Sequence, residues 1–192
     1  MNINKAIIKQ KKSYKRFLLI MGFIFFALPI ALVITKETNV FYIVYLALIE
    51  TLIIIAIIRK INNENLKIFD EGYKIKVVSG IKKESLTIIC NKVALVHVEE
   101  KDFSVVIIAT AKFRNKKVFP ISEKFLKNHG YIAHYYNKMK ILNPEKDYFY
   151  VIIKRGKYLK YKLLDVIYKN CVYAYFTDET IEKIKEYRNE VN

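Results

Sequence analysis

The chain has 192 residues, 34 Lys+Arg against 18 Asp+Glu, and a formal net charge of +16. A hydrophobic fraction of 53% excludes a disordered chain, and two cysteines exclude a disulfide scaffold. The apolar surplus falls in two early blocks, which argues against a purely soluble protein; the remainder has the apolar share of an ordinary globular chain.

Residues 1–16 read as a basic cytoplasmic N-terminus, with Lys5, Lys9, Lys11, Lys12, Lys15 and Arg16 and no acid. Residues 17–35 carry no charge. As a helix they rise about 28 Å, close to the roughly 30 Å of a hydrocarbon core. Residues 40–58 are as long and carry one acid, Glu50. The Val, Ile, Leu and Phe residues there favour insertion by about 4–8 kcal/mol, against about 3 kcal/mol for one central carboxyl. The four-residue link 36–39 forces an antiparallel hairpin. Basic residues flank its outer ends, at 5–16 and at Arg59 and Lys60, so the positive-inside rule predicts two spans with both termini cytoplasmic. A cleaved signal peptide is the rival reading; a 19-residue apolar run is long for one, and no small-x-small cleavage site follows. Pro29 should kink the first helix.

Glu50 is the most unusual residue. One reading makes it a protonated acid bonded to a backbone carbonyl or to its own copy in an oligomer. The other makes it a proton-sensitive or ion-contacting site.

Residues 59–65 read as a linker, and residues 66–192 as a cytoplasmic α+β domain. Alternating runs at 66–69 and 73–77 about Asp70-Glu71-Gly72 predict a hairpin. Val- and Ile-rich runs at 85–90, 93–98, 103–110 and 117–121 predict further strands. Phe125, His129, Ile132, Tyr136 and Met139 fall on one helical face, with Ser122 as N-cap and Gly130 a point where the helix splits. A strand at 148–154, a turn at Arg155-Gly156 and a strand at 157–164 predict a second hairpin. A strand at 171–176 and a Thr177-capped helix, with Ile181, Ile184 and Val191 inward, close the domain.

Two apolar helices followed by Tyr73-Lys-Ile-Lys-Val-Val-Ser-Gly-Ile-Lys-Lys-Glu-Ser85 and Val93-Ala-Leu-Val-His-Val98 resemble the bacterial pleckstrin-homology-like (PH-like) domains of small membrane proteins. The resemblance implies a bent, mainly antiparallel sheet or partial barrel capped by a C-terminal helix. The helix at 122–141 departs from that pattern, and the resemblance transfers no catalytic residue.

Chemistry-bearing motifs do not emerge. The glycines are isolated, so neither a P-loop nor a dinucleotide fingerprint is present. His97, His129 and His134 lack ligand spacing and an acidic partner on a shared face; His129 reads as a core or semi-buried histidine. Glu99, Glu100 and Asp102 read as a solvated turn. Cys90 and Cys171 read as separate, buried, reduced thiols of a cytoplasmic domain. No catalytic, cofactor or metal site is assigned, and no nucleic-acid partner is expected. Lys154, Arg155, Lys157, Lys160 and Lys162 form a basic, tyrosine-bearing segment that would either contact anionic lipid headgroups or serve as a lysine-protected edge. The sequence thus predicts a non-enzymatic cell-membrane protein. Its domain would act as an interaction or scaffolding module, in a homo-oligomer or with other membrane proteins. The rival is a subunit of a membrane transporter or channel.

Overall fold

The computed structural model describes residues 3–36, 39–99 and 102–190. Glu37, Thr38, Glu100 and Val191 lie outside the described residues. Both apolar blocks are helical, and both helices run past them. Helix α1 spans Ile3–Ile34 and passes through Pro29. Its first half is the basic segment, rich in Lys, which extends a helix at little cost. Helix α2 spans Val40–Glu64, started by Asn39, whose side chain accepts the Phe41 N–H. The expected linker 59–65 is therefore mostly helix. Lys60 and Glu64, one turn apart at 2.8 Å, support the extension. The two helices are long and apolar enough to cross a membrane by length and composition.

Beyond α2 the chain forms an α+β unit. Strands β1 (Leu66–Asp70), β2 (Lys74–Ser79) and β3 (Glu84–Ile89) make a three-stranded antiparallel sheet. The β1–β2 turn matches its sequence: Asp70 Oδ1 accepts the Gly72 N–H at 2.9 Å, and Gly72 takes φ +73°. A second sheet has the order β6 (Phe119–Pro120), β7 (Phe149–Ile153), β5 (Ser104–Ala109), β4 (Val93–Glu99) and β8 (Tyr175–Phe176). Its pairs are antiparallel except β4–β8, which is parallel.

The two sheets enclose the main core. Ile75, Val77, Leu86 and Ile88 from one meet Val96, Val98, Val105, Ile107 and Val151 from the other. Strand β5 is buried at every position because its opposite face, through Val106 and Ile108, packs beneath the helical pair α3 (Glu123–Asn128) and α4 (Gly130–Leu142). Double-sided burial explains its unbroken apolar run. The 122–141 helix does split at Gly130, and Ser122 does cap it, accepting the Phe125 N–H.

Residues 157–164 are not a strand. Helix α5 spans Leu159–Asn170 and buries Lys160, Leu163, Leu164 and Ile167, spaced for one helical face. Over eight residues, Tyr158, Lys160 and Lys162 mimicked a period of two. The 171–176 strand is likewise shortened to β8, because a turn holds Cys171 to Ala174 through the Ala174 N–H and the Cys171 carbonyl. Helix α6 (Asp178–Asn189) closes the unit with Ile184 buried. Thr177 begins it but does not cap it with its side chain. That hydroxyl lies 3.0 Å from His97 Nδ1 and 3.0 Å from the Thr180 hydroxyl.

Three expectations about polar residues need correction. His129 has an acidic partner, Glu99, brought by β4 to the start of α4. Glu99 is not a solvated turn residue, because its other oxygen accepts the Ser104 hydroxyl at 2.7 Å. Cys90 and Cys171 are not separate thiols. The end of β3 and the end of α5 bring their Cα atoms within 4.4 Å, and the pair forms a disulfide buried in the main core.

Candidate functional site: the junction cleft

The domain sits directly on the extensions of α1 and α2. The Gly156 N–H donates to the Asn63 carbonyl at 2.9 Å, and the Gly80 N–H to the Asn65 carbonyl at 3.1 Å. Gln10 clasps the turn before α5: its Oε1 accepts the Tyr158 N–H at 3.1 Å and its Nε2 donates to the Gly156 carbonyl at 3.4 Å. At the start of α1, Ile3 is buried, the Asn4 amide donates to the Glu190 carbonyl at 3.0 Å, and the Ile3 N–H meets the Glu190 carboxylate. Gly156 makes the approach possible. Its φ is +105°, and a Cβ there would lie 2.5 Å from Leu66 Cδ2.

Between α1, β1 and α5 this docking leaves a cleft of about 580 Å³. Lys11 and Tyr14 of α1, Glu64 of α2, Lys67 of β1, Lys162 of α5 and Tyr187 of α6 line it, with apolar side chains between them. Lys11, Lys67 and Lys162 are exposed and form no ion pair with a described residue. Glu64 differs. Its side chain is only 5% exposed, and Oε1 takes both Lys60 at 2.8 Å and Lys157 at 3.0 Å. Its Oε2 is buried and has no hydrogen-bond partner among the described residues. An unmet buried acceptor costs about 1–3 kcal/mol.

The five basic residues singled out from sequence separate. Lys162 faces the cleft and Lys157 pairs with Glu64 at its wall. Arg155 turns to Glu84 at 3.5 Å. Lys154 is exposed, and its carbonyl accepts the Lys160 ammonium at 2.9 Å. Lys160 is 2% exposed, over the Phe103 ring at 5.0 Å, and burial pushes its pKa down to about 8 against a weaker opposing pull from Asp102. Glu50 is half-buried on α2, with no hydrogen bond or ion pair to a described residue.

Sequence reasoning treated Lys11 only as a topology signal and missed Glu64, Lys67, Tyr14 and Tyr187. The Lys60–Glu64 spacing was the one available hint that α2 continues far enough to present Glu64. Comparison with known protein families, with characterised proteins and with solved structures found no match for this chain.

Proposed function

We propose that the chain is a two-span integral protein of the cell membrane with both termini cytoplasmic. Its α+β domain, PH-like in character, serves as a non-enzymatic interaction or scaffolding module at the membrane surface. The observation that carries this reading is the junction. The domain is bonded to helical extensions of both apolar segments at 156–158, at Asn63 and Asn65, and at Glu190, so it has no free tether. A module fixed this way presents the same faces to neighbouring membrane proteins, or to a second copy, at constant height and orientation. Basic flanks at 5–16 and at Arg59-Lys60 support the cytoplasmic side.

The test has two parts. Alkaline carbonate should leave the full chain in the membrane pellet, and a C-terminal tag should be protected in intact cells. Crosslinking in native membranes followed by purification through that tag should recover a defined neighbour or a homo-oligomer. Release by carbonate removes the anchor, and a chain that crosslinks to nothing removes the scaffold.

A further inference from the structure

We infer that the junction cleft binds the headgroup of an anionic glycerophospholipid from the adjoining leaflet, with lysines on the phosphate and Glu64 on the headgroup hydroxyls. This rests on the two-span reading above and names a ligand for the same site.

Depth is the first ground. Along α1, Tyr14 and Lys11 lie about 5 and 9 Å before the apolar run begins at Phe17. Glu64 lies about 9 Å beyond the end of the second run at Ile58. The polar layer beside the hydrocarbon core is about 6 Å thick on each side. The cleft therefore spans headgroup depth and the water just outside it.

Charge is the second ground. Lys11, Lys67 and Lys162 reach the cleft from three different elements, and none of them pairs with a described carboxylate. Three elements converging with one sign of charge, beside a tyrosine from α1 and another from α6, form a receptor for a phosphodiester. Lysine binds phosphate as a point charge and tolerates the varied approach of a lipid.

Glu64 is the third and separate ground. A carboxylate in an anion site would ordinarily repel the ligand. Here Lys60 and Lys157 share Oε1, while the buried Oε2 lacks a donor among the described residues. A headgroup hydroxyl would be such a donor once the Glu64 side chain turns toward the cleft it lines, and it adds no positive charge that would compete for the phosphate. A polyol phosphodiester such as phosphatidylglycerol meets both demands; phosphatidic acid offers the phosphate alone. The apolar lining, including Ile7 and Ile68, suits the glycerol backbone and first acyl carbons.

The experiment uses the full chain in nanodiscs of phosphatidylcholine with one-fifth phosphatidylglycerol, released gently for native mass spectrometry. The wild-type chain should retain one phosphatidylglycerol. Lys11→Gln combined with Lys162→Gln should lower its retention about thirtyfold, the weight of two lysines at about 1 kcal/mol each. Lys9→Gln with Lys12→Gln, an equal charge change on exposed lysines of α1 outside the cleft lining, should retain it as wild type does. Glu64→Gln should erase the preference for phosphatidylglycerol over phosphatidic acid. Circular dichroism of each variant checks folding.

Equal loss in both lysine pairs would reduce the effect to surface charge and overturn the site. Displacement of the lipid by millimolar glycerol 3-phosphate would assign the cleft to a soluble phosphate ester and overturn the lipid assignment. Failure of the two-span reading looks different, because it shows in the carbonate and tag-protection tests and not in a difference between the two lysine pairs.

Discussion

Lys160 offers a stability measurement whose direction follows from where α5 puts it. The ammonium is 2% exposed, its pKa falls to about 8 in the folded chain, and the ordinary value of 10.5 applies once the chain unfolds. Below pH 8 both states hold the proton, and burial of the charge costs the fold in full. Between pH 8 and 10.5 the unfolded chain binds more protons than the folded one, so stability rises with pH across that window. The gap corresponds to about 3 kcal/mol. Replacing the side chain by methionine keeps an unbranched stem, one atom shorter, and removes the charge. The variant loses the bond to the Lys154 carbonyl and the contact with Phe103, at about 1 kcal/mol each. Lys160→Met should then be about 1 kcal/mol more stable than wild type at pH 7 and less stable by pH 10. Urea unfolding of the detergent-solubilised full chain, followed by circular dichroism at several pH values, reads this directly. Taking the difference between the two proteins cancels the other lysines and tyrosines that titrate in the same range. Curves that run parallel from pH 7 to pH 10 would refute the buried ammonium.

Three further outcomes are expected. Gly156→Ala meets Leu66 at 2.5 Å and an adverse φ of +105°, whereas Gly72→Ala, at φ +73°, meets nothing within 4 Å. The first should cost about 2–3 kcal/mol and the second about 1, so equal losses in melting temperature would remove Leu66 as the cause. The Cys90–Cys171 bond closes a separation of 81 residues, and on chain entropy oxidised protein should exceed reduced protein in stability by about 4–5 kcal/mol. Thiol trapping in growing cells makes this pair a test of the side: the proposed cytoplasmic topology requires that the bond open to trapping in the reducing cytosol, and a fully oxidised pair would put the domain in an oxidising compartment and reverse that topology. Proteoliposomes of wild type and Glu50→Gln should leak protons no faster than empty vesicles. Flux in wild type that Glu50→Gln abolishes would establish the transporter reading instead.

Local signals were legible wherever one residue type forces one geometry. The Asp70–Gly72 turn, the Ser122 cap and the break at Gly130 all follow from the sequence. The failures share a cause in tertiary packing. The segment 157–164 is too short for its period to be read alone, and its helical face is defined by Leu164 and Ile167, which the core selects. The disulfide needed knowledge that the ends of β3 and α5 meet. The cleft was least legible because its lining comes from α1, α2, β1, α5 and α6, so no window of sequence contains it. Chain proximity groups Lys160 with Lys162, but helix geometry turns one into the core and the other into the cleft.

The basic N-terminal segment carries two constraints at once, and they act on different faces of one helix. Positive charge beside an apolar span fixes orientation wherever it sits around the helix. That leaves Ile3, Asn4, Ile7 and Gln10 free to follow a helical spacing set by the domain they touch, and they do so. A flexible basic tail would satisfy the charge rule equally well but would give Gln10 no reason to bond the turn at 156–158. Because the contact joins residues 148 positions apart, it cannot form until Tyr158 has been synthesised. The α1 extension and the domain therefore hold each other in place, and the cleft needs both of them.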